Sequence, residues 1–580
     1  MVNVALRAPV HCTAGQGTGA RLAMKKLLFI IPPYFNADDY LNKSRAAILP
    51  SFTIPYGILS MESYLNSHCT SAIDLQLLDL NITLQTLVEQ KFEGDYTAVF
   101  AREIEARLRD FRPQFAGISA LFNSSNRYIQ DIVKVCKDFD PEVITLAGGG
   151  LPSAAYKLML EGCPALDAIC KGEGELPLRD LLDADDPWEI IRSHKSWIAR
   201  DELAKNKVPQ HTFIENLDDI PPFDYKSINL DFYNNRSIDK QHAGKPKREM
   251  AIHTSRGCPF LCVFCSNPSL HGRDVRTMSV ERVVSDVLRM KEEFGMTVLL
   301  LEDDHFFNDK DRAKQILREL AALGIRVEFP NGVAVYAIDD EVAELFSKAG
   351  VSAVALAVES GSDHVLNNII RKPLKKRLIR PAVEALRKFN VRSHVFIVIG
   401  LPGEQDEHRE ETLQMLLTCG FDWVHVYLAM PIFGSRLYDI CVDKGYIDNP
   451  KSQDFVATKS VIRAPGVDPV KLEAFAYEMQ LRVNFVDNHN MKIGRYDVPI
   501  DYLKNVVNKY PDHAFGHYFL AECYRATERQ NLADEHFSRF ADICRQDVWW
   551  RDMAAKYDVH VESMPSVVPA VGEGALQAVH

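Results

Sequence analysis

No apolar run in this 580-residue chain approaches the ~18–20 residues that a helix needs to span a bilayer. The longest ones, such as Val298–Leu301 and residues 395–399, have the length of buried strands. An excess of positive charge is also missing. The formal net charge of −12 argues against a general polyanion binder, so no nucleic-acid partner is expected. Missing too is the pairing pattern of a disulfide framework. Of twelve cysteines, nine are scattered singly (Cys12, Cys69, Cys136, Cys163, Cys170, Cys419, Cys441, Cys523, Cys544), mostly in apolar segments. Buried free thiols of this kind point to a reducing, cytoplasmic setting. Residues 1–23 lack the apolar core of a secretory signal and read as a disordered leader. With 47% hydrophobic and 25% charged residues, the composition is that of a globular protein of several domains.

Residues 24–200 alternate short apolar runs with amphipathic stretches, the pattern of a parallel sheet covered by helices. Strands are expected at 26–31, 75–80, 115–121, 143–147 and 168–171. The loops at their carboxyl ends, where open α/β sheets bind ligands, hold Pro32-Pro33-Tyr34, Leu121-Phe122-Asn123-Ser124-Ser125 and Gly148-Gly149-Gly150-Leu151-Pro152-Ser153. Residues 201–249 form a polar linker with Pro221-Pro222. A second βα series follows over 250–450, with strands at 250–255, 298–302, 326–330, 353–359, 393–400 and 423–429. Six steps suit a partial (β/α)6 barrel better than a full eight-strand one. Residues 451–557 read as a helical region. Ala514, Tyr518, Leu520, Ala521 and Tyr524, then Ala533, Phe537 and Phe540, sit at the packing positions of a single tetratricopeptide-like unit over 499–545. An ordinary helical cap fits the same pattern. Such helices either pack on the barrel or receive a protein partner. Residues 558–580 have no periodicity and read as a disordered tail.

The three remaining cysteines are clustered in His253-Thr-Ser-Arg-Gly-Cys258-Pro-Phe-Leu-Cys262-Val-Phe-Cys265-Ser-Asn267, on the loop leaving the first barrel strand. Three thiolates from one short loop can bind three irons of a 4Fe-4S cubane and leave the fourth iron open to a small chelating ligand. A closed zinc site is the alternative and would need a fourth ligand, for which His253 and His271 are the candidates.

Ser255-Arg256-Gly257-Cys258-x3-Cys262-x-Phe264-Cys265 resembles the signature of the radical S-adenosylmethionine (SAM) superfamily, including the aromatic residue before the third cysteine. The likeness continues through Glu302-Asp303-Asp304, Glu359-Ser360-Gly361 and Gly400-Leu401-Pro402-Gly403-Glu404. It implies a cluster on Cys258, Cys262 and Cys265. It also implies SAM contacts from Phe264, Glu302, Asp303, Glu359, Ser360, Gly400 and Pro402. A carboxylate such as Glu359 can accept hydrogen bonds from ribose hydroxyls or the methionine ammonium, and Gly400 allows close backbone approach.

Residues 24–200 resemble the Rossmann-like cobalamin-binding domain that precedes the barrel in one branch of that superfamily. The marks are Ile31-Pro32-Pro33, Ile54-Pro55-Tyr56-Gly57, the Gly148–Ser153 turn and Lys171-Gly172-Glu173-Gly174-Glu175. The resemblance implies corrin contacts from Pro33, Ser124, Ser125, Gly148, Gly149, Gly150, Ser153 and Glu173. The Asp-x-His-x-x-Gly motif that supplies an axial histidine in many cobalamin proteins is absent.

The resemblance implies reductive cleavage of SAM by the cluster to methionine and a 5′-deoxyadenosyl radical, with an external one-electron donor such as flavodoxin or ferredoxin. It implies a cobalamin-dependent methyltransferase acting on a small molecule. Alternatives in the same class are a cobalamin-dependent oxidoreductase or cyclase and a methylthiotransferase-like enzyme, though the latter's extra amino-terminal cysteine set is not evident. Outside it stands a metal-stabilised interaction scaffold. No residue is assigned as catalytic. His305 and Tyr427, near strand ends, are candidates for substrate contact.

Overall fold

A computed structural model of the chain describes residues 24–41, 52–234, 238–239, 245–451 and 458–560. The expected leader, part of the linker and residues 561–580 of the expected tail lie outside these.

The chain divides into two compact units. In the first, six strands form one sheet in the order β2-β1-β3-β4-β5-β6: β1 (Lys25–Ile31), β2 (Ile73–Asp79), β3 (Phe115–Ser119), β4 (Ile144–Gly148), β5 (Ala168–Cys170) and β6 (Trp197–Ala199). All neighbours are parallel except β5 and β6. Parallel strands covered on both faces must be apolar on both, and β1 shows this directly. Leu27, Phe29 and Ile31 enter one core, whereas Leu28 and Ile30 enter the other. The order 2-1-3-4-5 reverses direction between β1 and β3, and such a switch point opens a ligand crevice at the strand carboxyl ends. The β1 and β3 loops flank that point.

The same unit holds the two-residue pair β7 (Ile238–Asp239) and β8 (Lys245–Pro246). It also holds a parallel sheet of β9 (Glu249–Ile252), β12 (Val298–Leu301) and β13 (Arg326–Glu328), ordered β13-β12-β9. A short antiparallel ladder joins β10 (Ser255–Arg256) to β11 (Arg276–Thr277).

The second unit contains the parallel sheet β14 (Ala353–Glu359), β15 (Arg392–Ile399) and β16 (Trp423–Leu428). The six expected barrel strands are therefore present, three in each unit. Helices follow at Pro469–Leu481, Asp497–Lys509, Ala514–Ala526, Gln530–Gln546 and Val548–Lys556. They enclose their own core around Phe515, Leu520, Phe540 and Trp550. Asn484 closes the edge of β16, since it accepts from Val424 N at 2.9 Å and donates to Val424 O at 2.8 Å. A side-chain amide thus occupies the ladder positions of a missing strand. The carboxyl-terminal helices pack on barrel strands within this unit, as Trp423 stacking on Tyr502 also shows. No helix among the described residues is long and apolar enough to cross a membrane.

Candidate active site

The cysteine loop is closed at its base by the β10–β11 ladder, which pairs Ser255 with Thr277 and Arg256 with Arg276. Gly257 makes the turn into it at φ +96°, and a Cβ there would lie 2.4 Å from Asp274 O, so only glycine fits. Cys265 N donates to Cys262 O, and Leu437 N donates to Val263 O between those two cysteines. Cys258, Cys262 and Cys265 form no disulfide and are half-buried. Burial pushes the Cys265 thiol up to about 12, and the nearby Cys262 and Cys258 add to the rise. Three adjacent thiols ionise together only when a cation compensates them, and the iron of a cluster is such a partner. The donor set fits a 4Fe-4S cluster with three protein ligands. The histidines proposed as zinc ligands have other partners: His271 Nδ1 meets Glu173, and His253 Nε2 lies 3.6 Å from Glu302.

Each residue from Thr254 to Gly257 is held by a carboxylate. Asp303 accepts from Thr254 N, Thr254 Oγ1 and Ser255 Oγ, each at 2.6 Å. Asp304 accepts from Gly257 N at 2.9 Å. Asp303 is 4% exposed, and both its oxygens fix the entry to the cysteine loop. Arg256 donates to Glu173 at 3.0 Å, to Glu175 at 2.9 Å and to Ser60 at 2.9 Å. Glu173 also receives both terminal nitrogens of Arg276 and the His271 ring. Burial opposes its ionisation, but Arg256, Arg276 and His271 outweigh that and hold its carboxyl far below the usual range. Glu173, expected at the corrin, thus has three basic protein partners. It is the anionic centre of a buried network that ties the turn after β5 to the cysteine loop. His305 is buried and packs on Phe260 of that loop, 4.9 Å between ring centres. Phe264 is half-buried on the loop itself, and Glu302 is half-buried at the end of β12.

Three other residues expected at the corrin hydrogen-bond within the protein. Ser124 Oγ donates to Tyr34 O and Ser125 Oγ to Pro33 O, which staples the β3 loop to the β1 loop. Pro33 is buried beneath this staple. Ser153 is 2% exposed, and its Oγ accepts from Gly172 N at 2.9 Å. These hydroxyls tie together the loops at the strand carboxyl ends. Gly148, Gly149 and Gly150 remain partly open. A Cβ on Gly149 would lie 2.7 Å from Ala120 O, so the turn lies flat against the β3 loop. Beside it Leu121 and Phe122 are each 46% exposed, uncommon for large apolar groups. A bare glycine turn next to exposed apolar side chains at a switch point fits a broad, flat ligand such as a corrin ring.

In the second unit, Glu359 ends β14 in the left-handed region at φ +69°, a strained conformation for a non-glycine residue. Its carboxylate is 2.8 Å from Lys372 Nζ. Ser360 pairs with Thr412 and accepts from Ser362 N, so it also holds its own turn. Gly400 N donates to Glu404, whose fully buried carboxyl is pushed up to about 7 by burial. Pro402 lies half-buried in this turn. Tyr427 is half-buried on β16 beside Phe396 and His425.

Sequence alone did not single out the Arg256–Glu175 and Lys372–Glu359 pairs. Their signals were an arginine beside the cysteine motif and a lysine thirteen residues beyond a strand-end glutamate.

Comparison with known proteins agrees with this geometry. The model of the radical SAM superfamily matches residues 252–416, and that of the B12 binding domain matches residues 67–182. The chain is 28% identical over 393 residues to a cytidylyl-2-hydroxyethylphosphonate methyltransferase of Streptomyces wedmorensis, covering 62% of this chain and 72% of the relative. It is 24% identical over 330 residues to an anaerobic magnesium-protoporphyrin IX monomethyl ester cyclase of Cereibacter sphaeroides, covering 55% of this chain and 51% of that one. Among solved structures, the cobalamin-dependent S-adenosylmethionine radical enzyme OxsB with aqua-cobalamin bound shares its fold. The TM-score is 0.56 at 15% identity, over 93% of this chain and 82% of that one.

Proposed function

Since the chain belongs to the radical SAM superfamily, in the branch that carries a B12-binding domain, we propose that it is a cobalamin-dependent methyltransferase acting on a small molecule. The observation that carries the proposal is the bond between Glu173 and Glu175, beside the B12-type sheet, and Arg256, two residues before Cys258. It places a corrin-binding fold and a cluster-binding loop in one buried network.

When bound, the cluster supplies the electron that cleaves SAM and cobalamin supplies a transferable methyl group. The chain's own residues bind and orient. Cys258, Cys262 and Cys265 present three thiolates, and Asp303 and Asp304 fix the backbone that carries them. Phe264, Glu302, Glu359, Ser360, Gly400 and Pro402 are the proposed SAM contacts, with the Glu359 carboxylate directed by Lys372. Gly148, Gly149 and Gly150 form the proposed bed for the corrin. The proposed domain limits are 24–200 for the corrin-binding domain, 201–249 for the linker, 250–450 for the barrel and 451–557 for the helical region. A soluble one-electron donor and a cytoplasmic setting accompany this reading.

The likeness to a ring-forming cyclase supports a second outcome, in which the same parts serve oxidation or ring closure. Anaerobic reconstitution with iron, sulfide and hydroxocobalamin, followed by product mass analysis, separates the two. A product that has gained a methyl group in place of hydrogen supports the methyltransferase. An oxidised product without added carbon overturns it.

A further inference from the structure

Ser153 lies in the first turn of the helix Gly150–Gly162, three residues beyond the glycine turn, and accepts from Gly172 N at 2.9 Å. Gly172 is held at φ +84°, where a Cβ would come within 2.8 Å of His211. Gly172 therefore cannot be replaced without disturbing this turn, and its bond to Ser153 ties the turn after β5 to the helix that follows the glycine turn. Its next residue, Glu173, binds Arg256, Arg276 and His271. Two residues later Glu175 binds Arg256 and accepts from Ser60 Oγ at 2.6 Å. Arg256 leads through Gly257, where no other residue fits, into Cys258.

Glu173, Glu175, Arg256 and Arg276 are each 6% exposed or less. Close packing prevents such a network from deforming gradually, and the planar fork of a guanidinium fixes the direction of its carboxylates. A displacement of the glycine turn is thus carried to the cysteine loop rather than absorbed on the way.

We propose that Glu173, Glu175 and Arg256 are positioning residues that couple occupation of the corrin bed to the placement of Cys258, and hence of the cluster. The proposal rests on the two-cofactor reading above. Coupling between two sites is a free energy and acts equally in both directions. The cluster should therefore tighten cobalamin binding, and cobalamin should alter the cluster's spectrum.

The test measures hydroxocobalamin affinity of the full chain under anaerobic conditions. The cluster-loaded protein is compared with the cluster-free Cys258→Ala/Cys262→Ala/Cys265→Ala protein, and the reduced cluster's electron paramagnetic resonance spectrum is recorded with and without cobalamin. The parent is expected to bind cobalamin about fivefold or more tightly when the cluster is present, and to show a spectral shift on binding. Glu175→Gln removes one anion from Arg256 and leaves Glu173 in place. Ser60→Ala removes only a hydroxyl, and it serves if the first variant does not fold. In the cluster-free background both should bind cobalamin as the parent does. With the cluster present, their advantage should fall below about twofold and the spectral shift should vanish. Equal affinities in the two states of the parent, or an undiminished factor in the variants, overturns the coupling. Failure of the parent to bind cobalamin in either state overturns the two-cofactor reading as well.

Discussion

Glu173 and Arg256 stand 3.0 Å apart, 83 residues apart in sequence and both nearly sealed from solvent. A buried ion pair is strongly destabilising when one partner is removed, because the other charge is left without compensation. Glu173→Gln leaves Arg276 and Arg256 with one fewer anion. It should reduce stability by about 3–5 kcal/mol and reduce iron uptake with it. Denaturant unfolding of the cluster-free protein checks this. A loss below about 1 kcal/mol would place the pair among ordinary surface ion pairs.

Gly257→Ala should be the most damaging single methyl in the cysteine loop. The added carbon would meet Asp274 O at 2.4 Å and would have to occupy φ +96°. Both effects act on the residue before Cys258. Iron content after anaerobic reconstitution should drop severely while the amino-terminal sheet keeps its circular dichroism. Full iron loading would contradict the tight turn.

Asp303→Ala leaves three buried donors without an acceptor: Thr254 N, Thr254 Oγ1 and Ser255 Oγ. At about 1–3 kcal/mol for each unsatisfied group, a loss of roughly 3 kcal/mol or more is expected. If Asp303 instead served only to hold SAM, the variant would retain parental stability and its defect would lie in the Michaelis constant for SAM. Unfolding and SAM titration on the same preparation distinguish these outcomes.

Glu404 makes stability depend on pH in a known direction. Burial raises its carboxyl from 4.5 to about 7 in the folded chain. Between these values the folded state keeps a proton that the unfolded state releases, so stability declines as pH rises from about 4.5 to 7 and then levels off. Glu404→Gln keeps an oxygen for Gly400 N and cannot ionise. The decline attributable to this group, at most roughly 3 kcal/mol, should disappear. Unfolding at three pH values across the window tests it, and an unchanged slope contradicts the assignment.

The legible parts of the fold were those with a local signal. The expected limits of strand β14 match the observed ones because its apolar run is bounded by turn residues, and those of β1 agree within one residue for the same reason. The edge strand Trp197–Ala199 is not legible, since three residues carry no period. The three cysteines stand out by their spacing, and the cluster they are proposed to hold follows from the resemblance of the surrounding motif. Asp303, Glu173 and Ser153 are legible as positions at strand ends, but their protein partners are not. Those partners lie 49, 83 and 19 residues distant, and sequence pattern does not show which donors a carboxylate or hydroxyl will meet. Glu359 and Gly400 are legible as strand-end positions, whereas the left-handed backbone of Glu359 and the partners Lys372 and Glu404 emerge only with the packing.

On the proposed reading, Cys258, Cys262 and Cys265 hold a cluster with one iron open to SAM. The most direct measurement is 5′-deoxyadenosine formation by the anaerobically reconstituted full chain, given SAM and a one-electron reductant, with metal analysis of the same sample. About four irons per chain and reductant-dependent 5′-deoxyadenosine are expected, both lost in the Cys258→Ala/Cys262→Ala/Cys265→Ala protein. Zinc in place of iron, or 5′-deoxyadenosine that persists without the three thiols, would contradict it.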